Sequence, residues 1–154
     1  MVKDDARNPL RPPGRSLGAG VLAGLGTAAF VDEVVFHQLL HWHHLYDRAT
    51  TAVGLASDGL LHAFDFAALV AGLFLFADLQ RRRAAVPQRF WGGALLGAGA
   101  FQLYDGLVQH KVLGLHQVRY GVDLLPYDLA WNLAGAAAAL AGVLVLLLAR
   151  RRRS

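Results

Sequence analysis

An Asp-x4-His-x5-His pattern occurs twice in the chain, at Asp32, His37 and His43 and again at Asp105, His110 and His116, each time within an apolar stretch. The two copies align without a gap at an offset of 73 residues. The same offset lays Gly20, Gly24 and Gly26 on Gly93, Gly97 and Gly99, and it matches Leu22, Val35 and Leu40 as well. A second register, at an offset of 70, places Asp58 on Asp128, His62 on Asn132, Gly72 on Gly142 and Arg81–Arg83 on Arg151–Arg153. A chain with both registers is expected to fold as two copies of one helical hairpin. Ionisable side chains kept at matched depths in hydrocarbon-length segments are costly, so they point to a functional site before they point to packing.

A hydrophobic content of 55% over 154 residues sets the solvent. Four stretches, near Leu17–Leu45, Val53–Leu79, Phe90–Leu113 and Tyr127–Ala149, reach the roughly 20 residues that cross a bilayer core. The expected fold is an all-α integral membrane protein, with four transmembrane helices arranged as two tandem, pseudo-twofold-related hairpins. Residues 1–16 read as a flexible basic arm. Residues 17–149 form the membrane domain, with repeats at 17–83 and 90–149 divided near Pro87, and residues 150–154 are a basic tail. An even number of spans per copy puts the pseudo-axis along the membrane normal.

Arginines cluster before the first helix, in the second connection and at the C-terminus, whereas the other two connections hold only Arg48, Lys111 and Arg119. By the positive-inside rule both termini and the middle connection are cytoplasmic. The net charge of +4 comes from these clusters, which suit anionic headgroups and not nucleic acid. Cysteine is absent, which excludes disulfides, thiolate ligands and c-type haem attachment.

The polar residues form a layer in the outer half. Asp32 and Asp105 each lie 15 residues past the start of their helix, roughly 22 Å along it, while Asp58 and Asp128 open their helices from the outer side. If the first helix runs to Leu45, Asp32 and His43 fall within about 20° on a helical wheel, and Glu33, His37, His41 and His44 make an overlapping stripe. Asp58, His62 and Asp65 share a face of the second helix. Gly114 is a candidate stop for the third helix, which would take His116 off its wheel. The inner half carries small residues at four-residue spacing, a packing signature.

Imidazole and carboxylate together suit Zn, Fe, Mn or Cu(II), and facing helices can assemble such a site. His37, His62 and His110 are the expected imidazole ligands, with His43 and His116 as further candidates. Asp32, Asp58 and Asp105 are expected either as ligands or as carboxylates that orient the imidazoles. Asp65, Asp128, Asn132, Glu33 and His44 are candidates for hydrogen-bonding support or a proton relay. Haem between paired histidines fits the crowd of carboxylates less well. The alternatives are an accessory subunit whose Asp/His layer is a hydrogen-bond network, docking a membrane partner or a second copy, and a proton path. Asp78 beside Arg81–Arg83 reads as a solvated ion pair.

The segments Phe30–His44 (FVDEVVFHQLLHWHH), Ser57–Asp65 (SDGLLHAFD) and Tyr104–Gly121 (YDGLVQHKVLGLHQVRYG) resemble the DUF2243 family of membrane proteins, and the resemblance runs from about Gly18 to Leu148. It rests on His37-Gln38, Trp42–His44 and Leu115–Arg119. His41 departs from the pattern, where a glutamine is expected. The resemblance implies a small integral protein of a bacterial cytoplasmic membrane and brings no reaction with it.

Overall fold

The computed structural model describes residues 12–151. Helix α1, Pro12–Asp32, widens into a π-helix, π1, over Glu33–Leu39. Helix α2 spans Thr51–Arg81. Helix α3, Pro87–Leu103, likewise widens into π2 over Tyr104–Leu113, and α4 runs from Leu124 to Arg151. The described residues contain no strand.

Local chemistry sets the ends. The Thr50 side chain accepts from the Val53 N–H at the start of α2. Pro87 opens α3, where its missing N–H has no helical partner to lose. Gly114, with φ of 56°, closes π2 in the left-handed region, as its position suggests. The first span is shorter than expected. The helix ends at Leu39 and not at Leu45, with Leu40 N donating to Val35 O and Trp42 N to Phe36 O. His41 then turns the chain at φ of 50°. His43 and His44 therefore lie in a loop, and the wheel that placed His43 over Asp32 does not apply.

Three helical segments, Gly14–Leu39, Thr51–Arg81 and Leu124–Arg151, are long and apolar enough to cross a membrane. The α3–π2 segment carries Gln88, Arg89, Gln102, Asp105, Gln109 and Lys111, which dilute its apolar content. Helix α1 packs on α3, α2 on α1 and α4 on α3. The resulting order is α2–α1–α3–α4, an open row. In α2 and α4 only 17% and 11% of the spanning window is buried, so side chains such as Leu60, Phe74, Leu133 and Leu140 stand on the outside. In a bilayer these faces meet lipid at little cost.

The α1–α3 crossing is the closest. A β-carbon at Gly20 would overlap the Phe90 carbonyl, and one at Gly93 the Leu17 carbonyl. Likewise, one at Gly24 would strike Ala94 O and one at Gly97 would strike Val21 O. Each of these contacts has its counterpart at residue numbers displaced by 73. The outer pairs repeat in the same way. Gly26 lies against Asp65 and Leu69 of α2, as Gly99 lies against Gly135 and Ala139 of α4. At the opposite end, Ser16 is buried and its hydroxyl accepts from Val86 N at 3.0 Å, tying the middle connection to α1. Asp78 is bound by Arg81 and Arg82 at 2.6 and 2.7 Å, the pairing expected of it.

Candidate metal centre

The π1 and π2 segments and the two loops after them bring four imidazoles together. His37 and His43 have ring centroids 4.5 Å apart, His110 and His116 are 4.6 Å apart, and His43 stacks on His116 at 4.5 Å and 11°. All four rings, with Asp32 and Asp105, are buried. A π turn carries more residues per turn than an α turn, so it redirects side chains without breaking the backbone hydrogen-bond ladder. That is how one helix end can present Asp32, Glu33 and His37 together.

Each loop is held by the other. His43 Nδ1 lies 2.8 Å from Val118 O, and His116 Nδ1 lies 2.9 Å from Leu45 O. A carbonyl only accepts, so both imidazoles donate from Nδ1 and carry the lone pair on Nε2. Asp47 N also donates to Leu115 O, and Arg48 to Leu113 O. Burial, with the His116 and His37 rings beside it, pushes the His43 imidazole down to about 3. It is neutral over the whole physiological range.

His37 is fixed by a carboxylate. Its Nδ1 donates to Asp58 Oδ1 at 2.9 Å, and Glu33 Oε2 lies equally near but without hydrogen-bond geometry. Asp58 is held in turn by the Leu45 N–H at 2.7 Å and by His44 Nδ1. The other ring nitrogen of His37, Nε2, lies 3.6 Å from Asp32 Oδ2. His37 Nε2, His43 Nε2 and Asp32 Oδ1 have no hydrogen-bond partner. Buried polar atoms left without a partner are costly, about 1–3 kcal/mol for each unsatisfied group.

The second triad is tighter. His110 Nε2 lies 3.0 Å from His116 Nε2 and 2.9 Å from Asp105 Oδ2, and His116 Nε2 lies 3.4 Å from Asp105 Oδ1. Gln109 donates to Asp105 Oδ1 at 2.9 Å. In each triad, one ligand atom from each residue lies within 4.8 Å of the other two. Ligand atoms bound at about 2.0–2.2 Å to one ion stand roughly 3 Å apart, so the second triad is near that spacing and the first is somewhat wider. Glu33, His37 and Asp58 form a third close group around the other nitrogen of His37.

Of the expected ligands, His37, His43, His110, His116, Asp32 and Asp105 come together. His62 does not: its side chain is 49% exposed, lies 3.6 Å from Asp65 and packs on the Phe30 ring at 5.4 Å. Its helical spacing from Asp58 is real, but α2 turns it away from the histidines. Asp58 and Glu33 touch His37, and His44 touches Asp58. Asp65 is wholly buried, with neither oxygen hydrogen-bonded. Asp128 pairs with Lys111, and Asn132 donates to the Asp128 carbonyl. The roles of Leu45 O and Val118 O were not legible, because a backbone carbonyl leaves no residue signature. The only trace is that both lie two positions after a histidine of the repeated pattern.

The apolar helices and the buried Asp/His layer define a helical membrane protein. The model of the family described as predicted membrane protein (DUF2243) matches residues 19–149, and the chain belongs to that family. No curated protein and no solved structure matches the chain.

Proposed function

We propose that the protein binds transition-metal ions in the membrane, one at Asp32, His37 and His43 and one at Asp105, His110 and His116. The observation that carries this reading is a set of buried atoms without hydrogen-bond partners, His37 Nε2, His43 Nε2 and Asp32 Oδ1, on three residues that each bring a ligand atom within 4.8 Å of the others, with each Nδ1 already committed. A cation satisfies all three at once. Two imidazoles and one carboxylate with open positions suit Fe(II) or catalytic Zn. The carboxylate and carbonyls on the Nδ1 side are the usual outer partners of ligating histidines. With an ion bound, the free positions would polarise a water or a small ligand, and the protein would serve metal handling or metal-dependent chemistry.

The same reading takes the molecule as four spans built from a duplicated hairpin, with both termini cytoplasmic and the histidine layer toward the outer face. The reciprocal contacts between α1 and α3, and between the two loops, support the duplication. The arginine clusters support the orientation. The metal-free alternative, a hydrogen-bond network, draws its support from the second triad, where His110, His116 and Asp105 already lie within 2.9–3.4 Å of one another.

Elemental analysis of detergent-purified protein separates the two. Near-stoichiometric Fe, Zn, Mn or Cu in the wild type, lost in a His37→Ala/His110→Ala double variant, is the expected result. Protein prepared without chelators that contains no metal and takes up none would overturn the proposal in favour of the network.

A further inference from the structure

Beside Asp32 lies a cavity of about 540 Å³, lined by α1, α3, α4 and the loops that carry Trp42 and Val118. Its walls are apolar and aromatic, with Phe36, Trp42, Tyr127 and Trp131 around it and Ala98 behind. Phe36 meets Trp42 at 5.1 Å and Trp131 at 5.0 Å, and Trp42 meets Tyr127 edge-on at 5.7 Å. Arg119 stacks over Trp42 at 4.9 Å and donates to the Tyr127 hydroxyl at 2.7 Å, which fixes these rings. The rim, Thr27 and Val31 on α1 with Ala130 and Ala134 on α4, is exposed and lies within apolar spanning segments, so it faces the bilayer.

A cavity of about 430 Å³ occupies the matching place between α1, α2 and α3. It ends at Gln109, whose amide is spent on Asp105. In the first half the position of Gln109 is taken by Phe36, which has no hydrogen bond to offer. Asp32 lines the first cavity, whereas Asp105 does not line the second. Only the first triad contributes a residue to the wall of its neighbouring cavity.

We propose that this cavity binds a neutral, flat-ringed molecule taken from the bilayer, carrying a ring hydroxyl or carbonyl, and holds its oxygen end beside the metal of the Asp32 triad. This rests on the metal reading above. Entry from lipid selects an uncharged ligand. Aromatic walls in edge-to-face contact complement a ring better than a flexible chain. The space exceeds the roughly 150 Å³ that holds a single benzene and lies within the about 300–1,000 Å³ of small-molecule sites. At its polar side the cavity is lined by Asp32 of the triad and by Gln102, whose amide can donate to a hydroxyl or carbonyl oxygen.

The test uses full-length protein in nanodiscs with Trp91→Phe as background, which leaves Trp42 and Trp131 as reporters. The probe is 2-methyl-1,4-naphthoquinone, and metal content is measured on the same samples. Saturable quenching is expected, weakened at least tenfold by Ala134→Phe and by Ala130→Phe, both of which fill the rim while retaining metal. Quenching that only tracks probe partitioning, equal in the background and both filled variants, overturns the proposal even where metal is bound. Saturable, fill-sensitive quenching in protein without metal upholds the cavity and removes the metal reading.

Discussion

The two halves of the molecule share a frame and differ in what they hang on it. At matched positions the first half carries Glu33, His44, His62 and Asp65, and the second carries Gly106, Gln117, Asn132 and Gly135. The first imidazole is oriented by Asp58 at 2.9 Å. Its counterpart, His110, has an unpartnered Nδ1, because Lys111, standing where the first half has Gln38, draws Asp128 away. The first half thus has a carboxylate-rich surround and an open cavity at Asp32, and the second has Gln109 closed over Asp105. On the proposed metal reading, matched Asp/His triads with divergent surroundings are two sites tuned apart on a shared scaffold.

The largest effects are expected from the proposed ligands. His37→Ala and His110→Ala should each remove half of the bound metal, measured per chain by elemental analysis, and the pair should remove all of it. If either single substitution empties the protein, the triads share one ion and the comparison of separate halves breaks. Next in size is the packing that the halves share. Gly24→Leu and Gly97→Leu force backbone apart at the α1–α3 crossing and should each destabilise by about 3 kcal/mol or more. Gly18→Leu, with nothing within 4 Å, should stay within about 0.5 kcal/mol. Unfolding in detergent checks all three, and unequal costs at Gly24 and Gly97 would mean that the frame is not symmetric.

Helices, their division at Pro87, the Asp78 ion pair and most of the residues in the buried Asp/His layer were legible because each leaves a periodic or compositional trace. The π turns were not. They arise from how the helix ends accommodate buried carboxylates and crossing loops, and a wheel drawn at 100° per residue assumes them away. His62 misled for a related reason, since i+4 spacing from Asp58 places it on the same side of α2 but cannot tell how far that face rotates from the α1 interface. The loop exchange, His43 to Val118 O and His116 to Leu45 O, links residues 75 and 71 apart. Only the tertiary fold could reveal it.

Smaller effects separate the halves. Asp58→Asn removes the carboxylate behind His37 and should weaken the first-half ion about 10–100-fold, read from competition with a metallochromic chelator. Asp128→Asn should leave the second-half ion unchanged, since that carboxylate is already bound to Lys111. Equal losses would show that Asp128 serves His110 after all.

The finest test is Lys111→Gln, which restores in the second half the residue type of Gln38. Without the ammonium, Asp128 loses its partner, and its Oδ1, already unpartnered in the wild type, is left beside π2. His110 Nδ1 has no partner either, so the first-half arrangement becomes available to it. Affinity at the second site should rise by less than about tenfold, because one outer hydrogen bond is worth about that much. The rise should vanish in Lys111→Gln/Asp128→Asn. A gain that survives the second substitution would come from removing a positive charge near a cation site, and the halves would then differ by electrostatics and not by imidazole orientation.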